Sequence, residues 1–328
     1  MKRWFLFVLA ATLATLLAGG CSTLDERQRE WIFQPSDRSW GNAESMTRGM
    51  EDVWIDFVSP LTGEPARLHG LWLGGAHQSA STPVLLYLHG ARYNVAGSAP
   101  RIRRMHELGF SVLAIDYRGF GKSTKGLPSE ATAREDALAA WTWLAARHPQ
   151  QPRYIFGHSL GGAIGIDLAA RTSDESGTIV EGTFTSISDV VSSFKWGWLP
   201  FSALLTQHFD SLARVKDIGA PLLVVHGALD DLIRPALGRK LYEAATVPKM
   251  FVLVEGGSHH STNTVGAAQY RAALAQLFRM NPAPVPEDEA EGTSDTSVTA
   301  QAEPSRRPAW AREASEASRV PASQARKI

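Results

Sequence analysis

The run from Arg153 to Ala170 constrains this chain more than any other stretch. It begins with a short apolar and aromatic strand signal, Tyr154 to Phe156, and continues into a small-residue helical segment. Between them stands Gly157-His158-Ser159-Leu160-Gly161, a G-x-S-x-G pattern. A strand that becomes a helix over so few residues strains the backbone of the central serine. Glycines two positions to either side leave room for the close approach. The serine hydroxyl is then pushed out over the end of a sheet, at the positive end of the following helix. The pentapeptide by itself also suits a plain strand-to-helix turn. Its flanks are what point to a nucleophile.

Around this stretch the apolar pattern divides residues 45–280 into alternating strands and helices. Asp52 to Val58 alternates apolar and polar residues, as a half-exposed edge strand does, and Leu68 to Leu73 is its plausible partner. Pro83 to Leu88 and Phe110 to Ile115 are continuous apolar runs, consistent with strands buried on both faces. Helices are expected over Arg101–Leu108 and over Arg134–Arg147, the latter with apolar positions at 137, 138, 141 and 144. Further strands are expected over Thr178–Phe184, Pro221–Val225 and Lys249–Val254. The fold class that follows is α/β, a mostly parallel sheet with helices on both faces. A hydrophobic content of 44% lets one large domain bury a core. In such sheets chemistry collects outside the carboxyl ends of the strands. Three residues of hydrolytic type fall there in order: Ser159, Asp230 after Val225, and His259 after Val254.

Together with Tyr87-Leu88-His89-Gly90, Asp116 to Ser123 and Gly257-Ser258-His259, these segments make residues from about 45 to 280 resemble the α/β-hydrolase superfamily of serine hydrolases. The likeness is greatest to its small-lid branch, which includes membrane-associated lipid and thioester hydrolases. The resemblance implies Ser159 as nucleophile, His259 as general base and then acid, and Asp230 as the group that orients the imidazole. It also implies an oxyanion hole formed by the backbone N–H groups of Leu160 and Ala91. Asp230 fits the family's spacing after His226-Gly227 better than its neighbour Asp231, which reads as a solvated loop carboxylate. His259 is preferred over His260 because the base follows the small residues. His158 and His89 read as structural neighbours of the site. The implied activity is cleavage of carboxylic esters or thioesters of a small-molecule acyl substrate, without a cofactor. A peptidase or amidase on the same triad is the enzymatic alternative, and a non-catalytic scaffold with this fold the third.

Several other readings fail. Gly119 to Ser123 invites a phosphate loop, but the position five residues before the Gly121-Lys122 pair is Asp116, not glycine. The ten histidines show no metal-binding spacing. The dehalogenases and epoxide hydrolases of the family carry an aspartate where this chain has Ser159. A formal net charge of zero gives nucleic acid no hold.

The segment Val190–Phe209 breaks the strand–helix rhythm and carries Trp196 and Trp198. It reads as a short lid, about 187–212, whose aromatics line an acyl pocket. The competing reading is an apolar connector on the sheet's upper edge. At the amino terminus a basic start and an apolar run, Trp4 to Leu17, read as a secretory signal over 1–20. Leu17-Ala18-Gly19-Gly20-Cys21 resembles a bacterial lipoprotein signal, with Ala18 where leucine is usual. That implies a lipidated Cys21, the only cysteine, and a membrane partner through the N-terminus. Ser22 suggests the outer membrane of a bacterial cell envelope. Residues 21–44 are then a membrane-proximal tether, whose aromatics can also pack on the domain. After Met280 the proline-rich, then acidic, then arginine-dotted composition predicts a disordered tail over 281–328.

Overall fold

The computed structural model describes residues 23–36, 42–74, 81–193 and 204–280. The signal segment, Cys21, Trp196, Trp198 and the tail from 281 lie outside the described residues.

The elements in order are α1 (residues 23–33), α2 (Ala43–Met46), β1 (Glu51–Val58), β2 (Pro65–Leu73), β3 (Val84–Leu88), α3 (Ala99–Glu107), β4 (Ser111–Ile115), α4 (Glu130–Arg147) and β5 (Arg153–His158). There follow α5 (Leu160–Ala169), β6 (Gly177–Glu181), α6 (Ile187–Ser192), α7 (Ser211–Arg214), β7 (Leu222–Gly227), α8 (Pro235–Ala244), β8 (Lys249–Val254), α9 (Thr262–Val265) and α10 (Ala267–Phe278). They form one eight-stranded sheet in the order β1-β2-β4-β3-β5-β6-β7-β8. β2 runs antiparallel to β1 and β4, and the strands from β4 to β8 are parallel.

The continuous apolar runs are strands covered twice over. In β3, Val84, Leu86 and Leu88 join one core while Leu85 and Tyr87 join the other. The first core is closed by Trp141 and Leu144 of α4, Ile164 of α5 and Leu241 of α8. The second is closed by Ile102 and Met105 of α3 and by Tyr270 and Leu274 of α10. Each such side chain contributes about 1.5–3 kcal/mol on burial. Because α3 and α5 cover opposite faces, the chain leaves β3 and β5 in opposite directions. In an open sheet of this kind, ligands bind outside the carboxyl ends of two strands whose connections diverge in this way.

Three local differences from the sequence expectation have physical causes. α4 begins at Glu130, ahead of the expected 134, because Ser129 and Thr132 cap each other: the Thr132 N–H donates to Ser129 Oγ at 3.1 Å and the Ser129 N–H to Thr132 Oγ1 at 2.8 Å. Its buried stripe is Ala133, Ala137, Ala140, Trp141 and Leu144, so Leu138 falls off it and is 42% exposed. β6 stops at Glu181 rather than Phe184, because Gly182 turns the chain with φ +58° and donates its N–H to the Val225 carbonyl. One aromatic of the N-terminal segment packs on the domain: Phe33 is fully buried, its ring edge-on to Phe209 at 5.8 Å and 6.5 Å from Phe120, whereas Trp31 is exposed and Trp40 lies outside the described residues. Both described flanks of the lid segment are seated as well, through Val190 and Phe209. Among the described residues no helix is long and apolar enough to cross a membrane.

Candidate active site

Ser159 stands between β5 and α5 with φ 55° and ψ −121°, a conformation that costs a non-glycine residue strain. Its flanking glycines are required by contact. A Cβ on Gly157 would press into the Gly161 carbonyl, and one on Gly161 into the Leu88 carbonyl. Two bonds from the end of β6 fix the strained residue. The Ser159 N–H donates to the Glu181 carbonyl at 2.9 Å, and the Thr183 hydroxyl donates to the Ser159 carbonyl at 2.8 Å. Leu160, next in the chain, begins α5, where the first N–H groups lack intrahelical acceptors.

Asp230 and His259 are brought together as the sequence expected. His259 Nδ1 lies 2.8 Å from Asp230 Oδ2, and both residues are buried. The other carboxylate oxygen, Oδ1, accepts the N–H of Ile233 at 2.8 Å and of Leu232 at 3.1 Å. Burial alone would raise the Asp230 carboxyl. The hydrogen bonds from His226 and His259 overcome that and hold it well below the usual carboxylate range. Asp231 and His260, the two neighbours set aside, are exposed. Gly182 links this pair to the serine: a Cβ there would meet both Asp230 Oδ2 and His259 Nδ1 at 3.4 Å. Residues 181–183 thus back Ser159 on one side and the Asp230–His259 pair on the other.

His158 adds a second link, with Nε2 3.0 Å from the His259 carbonyl oxygen. Burial, reinforced by the nearby Arg101 and His259, pushes His158 well below the usual histidine range. It is neutral at pH 7 and donates from Nε2 to that carbonyl. From the β3 side, Gly90 packs on the elbow: a Cβ there would stand 3.1 Å from the Ser159 Cβ. His89 Nδ1 donates to the Gly90 carbonyl at 2.6 Å, and Asp116 Oδ1 accepts the Val95 N–H at 2.7 Å. Between these two fastenings lie Ala91 and then Arg92 and Tyr93, with φ of 72° and 57°.

Sequence reasoning missed a buried network beneath the histidine. Arg101 Nε donates to Glu181 Oε1 at 2.8 Å, the Tyr270 hydroxyl donates to Glu181 Oε2, and Arg101 also reaches the His260 carbonyl at 3.2 Å. A glutamate closing an otherwise apolar strand was the one signal available. Among the described residues no group of His, Cys, Asp and Glu side chains is placed to hold a metal ion. The arrangement is suited to acyl transfer. It offers a strained, half-buried hydroxyl, an imidazole fixed in one tautomer by a carboxylate, and backbone donors at the start of a helix.

Comparison with known proteins agrees with this fold. A family model described as "Serine aminopeptidase, S33" matches residues 79–213. An uncharacterised protein of Mycobacterium tuberculosis is 32% identical over 262 residues, covering 79% of this chain and 90% of its own length. The lysophosphatidylserine lipase ABHD12 of Danio rerio is 32% identical over 216 residues, covering 60% of this chain and 56% of that protein. Among solved structures, a Pyrococcus furiosus esterase superposes with a TM-score of 0.60 at 18% identity, covering 76% of this chain and 97% of the esterase. Est1E of Butyrivibrio proteoclasticus, solved with ferulic acid, superposes with a TM-score of 0.57 at 15% identity, covering 69% and 99%.

Proposed function

This chain belongs to the α/β-hydrolase superfamily, and from that premise we propose that it is a serine hydrolase of carboxylic esters or thioesters. The observation that carries the reading is the bond between Asp230 and His259 beside a serine held at φ 55°. With Nδ1 committed to the carboxylate, His259 keeps Nε2 for proton exchange. Ser159 Oγ attacks the acyl carbon and gives its proton to His259 Nε2. The oxyanion is held by the N–H groups of Leu160 and Ala91. The tetrahedral adduct then collapses, His259 protonates the leaving alcohol or thiol, and an acyl group remains on Ser159. A water that yields its proton to His259 releases the acid by the same path.

An acylated lipid is the substrate class we favour. Tyr93, Leu204, Leu229 and Leu232, on loops at the carboxyl side of the sheet, are large apolar residues exposed to solvent. The name of the Danio rerio relative supports the same class. Trp196 and Trp198 would line the acyl pocket from the lid. A lipidated Cys21, an N-terminal tether and an outer-membrane position complete the proposal, because they bring the enzyme to such substrates. The description of the matching family model favours a second reading, cleavage of an amide at the same serine.

The test is turnover of p-nitrophenyl esters from short to long acyl chains, run beside aminoacyl p-nitroanilides, with wild type and Ser159→Ala. Ester turnover that vanishes in the variant and peaks at a medium or long chain supports the lipid-ester reading. Turnover of the anilides alone would replace it with the amide reading.

A further inference from the structure

We propose that residues 23–36 form a strap that positions the oxyanion loop, with Phe33 and Gln34 as positioning residues for the reaction. The inference rests on the serine-hydrolase reading above.

The loop after β3 carries two consecutive non-glycine residues at positive φ, Arg92 and Tyr93. Such a pair persists only where its surroundings hold it. Besides Asp116, the surroundings come from a segment 58 positions earlier in the chain. The Phe33 carbonyl accepts the Arg92 N–H at 2.9 Å, and Gln34 Oε1 accepts the Arg92 Nε–H at 2.8 Å. Gln34 is itself fixed. Its Nε2 donates to the Trp31 carbonyl at 2.9 Å and its N–H to the Glu30 carbonyl at 3.0 Å. The Phe33 ring is fully buried against Phe120 and Phe209, so the carbonyl that holds Arg92 cannot drift.

The other end of the strap is fastened to different loops. Gln28 Nε2 donates to the Leu204 carbonyl at 2.7 Å, and its Oε1 accepts the Thr206 N–H at 2.8 Å. Gln207 Nε2 donates to Asp25 Oδ1 at 2.9 Å, and Arg29 Nε to the Pro128 carbonyl at 2.9 Å. The strap therefore joins the described end of the lid segment to the loop bearing Ala91. Ala91 is the residue between Arg92, which the strap holds, and Gly90, which packs on Ser159. Displacing Arg92 displaces the Ala91 donor. A small shift of an oxyanion donor weakens transition-state binding while leaving substrate binding nearly unchanged.

The full-length chain is compared as wild type, Gln34→Ala, Phe33→Ala and Phe33→Leu, with Arg27→Ala as an exposed control on the same helix. Two readouts are taken. The first, amide hydrogen exchange over residues 90–95, requires no turnover. Exchange at Arg92 is expected to rise about tenfold or more in Gln34→Ala and Phe33→Ala. Unchanged exchange overturns the strap. The second is kcat per fluorophosphonate-titrated site on a p-nitrophenyl ester, with the inhibition constant of a trifluoromethyl ketone that forms a tetrahedral adduct. Gln34→Ala is expected to lower kcat by about three- to tenfold and Phe33→Ala by about ten- to a hundredfold, with KM within about twofold. The inhibition constant rises in step, Phe33→Leu recovers most of the loss, and Arg27→Ala changes nothing. A lowered Tm with unchanged kcat per titrated site would reduce the segment to a structural one. If exchange rises in a protein that turns over no ester, the strap stands and the hydrolase reading falls.

Discussion

At the carboxyl end of β5 the turn from Gly157 to Gly161 is held by its own glycines and by the ends of the two strands that flank β5, β3 and β6. At the carboxyl end of β3 the turn from Gly90 to Val95 is held by residues distant in the chain. The first puts one non-glycine residue at positive φ and surrounds it with glycines whose contacts tolerate no Cβ. The second puts two there, and its fastenings are Asp116 on one side and Phe33 with Gln34 on the other. A nucleophile must be fixed by a rigid local turn. A donor pair needs only to be placed beside it, and the fold uses whatever segment passes nearby. The contrast says where a substitution acts directly and where it acts at a distance.

The largest expected effect concerns the acid beside the histidine. Asp230→Asn should lower kcat by about 10⁴-fold, the size seen when such a carboxylate no longer fixes the tautomer, while Asp231→Asn stays near wild type in the same steady-state assay. Equal losses at both positions would show that the bond between Asp230 and His259 does not carry the reaction. Gly161→Ala should come next. Its Cβ would be driven into the Leu88 and His89 carbonyls, so urea unfolding should show a loss of about 4 kcal/mol or more. On the loop that leads into α7, Phe209→Ala should cost about 3–5 kcal/mol and also loosen Arg92 through Phe33.

A smaller effect has a definite sign with pH. Burial holds His158 below its usual value of about 6.5, so the neutral form is the folded one. Its contribution is fully present above that value and is lost as pH falls below it, since the unfolded chain then binds the proton more readily. The stability of wild type relative to His158→Gln should therefore shrink by about 1 kcal/mol for each pH unit below about 6.5. Paired thermal melts at pH 7 and pH 5.5 read this difference, and a gap that widened on acidification would refute it. The smallest effect is at Leu138. Its exposure predicts a change within about 0.5 kcal/mol for Leu138→Ala, whereas Leu144→Ala should cost about 2–5 kcal/mol.

These particulars also explain what could be read from the chain beforehand. The elbow is five contiguous residues, and both glycines and the serine declare their geometry. The order of Ser159, Asp230 and His259 was legible because each follows an apolar run that reads as a strand, although β8, ahead of His259, is a half-exposed edge strand and not a buried one. Leu138 misled because apolar identity was taken for the buried stripe, which in α4 is built largely from alanine. The turn at Gly182 looked like strand because Thr183 and Phe184 continue an apolar pattern. Phe33 gave no sign of its role, since its contribution to Arg92 is a backbone carbonyl that any residue possesses. The partnership of Arg101 with Glu181 needed the fold, because 80 positions separate them.

The central claim is that Ser159 is the nucleophile, and reaction with a fluorophosphonate probe tests it most directly. Intact mass and peptide mapping should show one adduct per chain, on the peptide containing Ser159, and none in a folded Ser159→Ala variant. A folded wild type that takes up no probe, or a variant that is labelled as fast as wild type, would contradict the account.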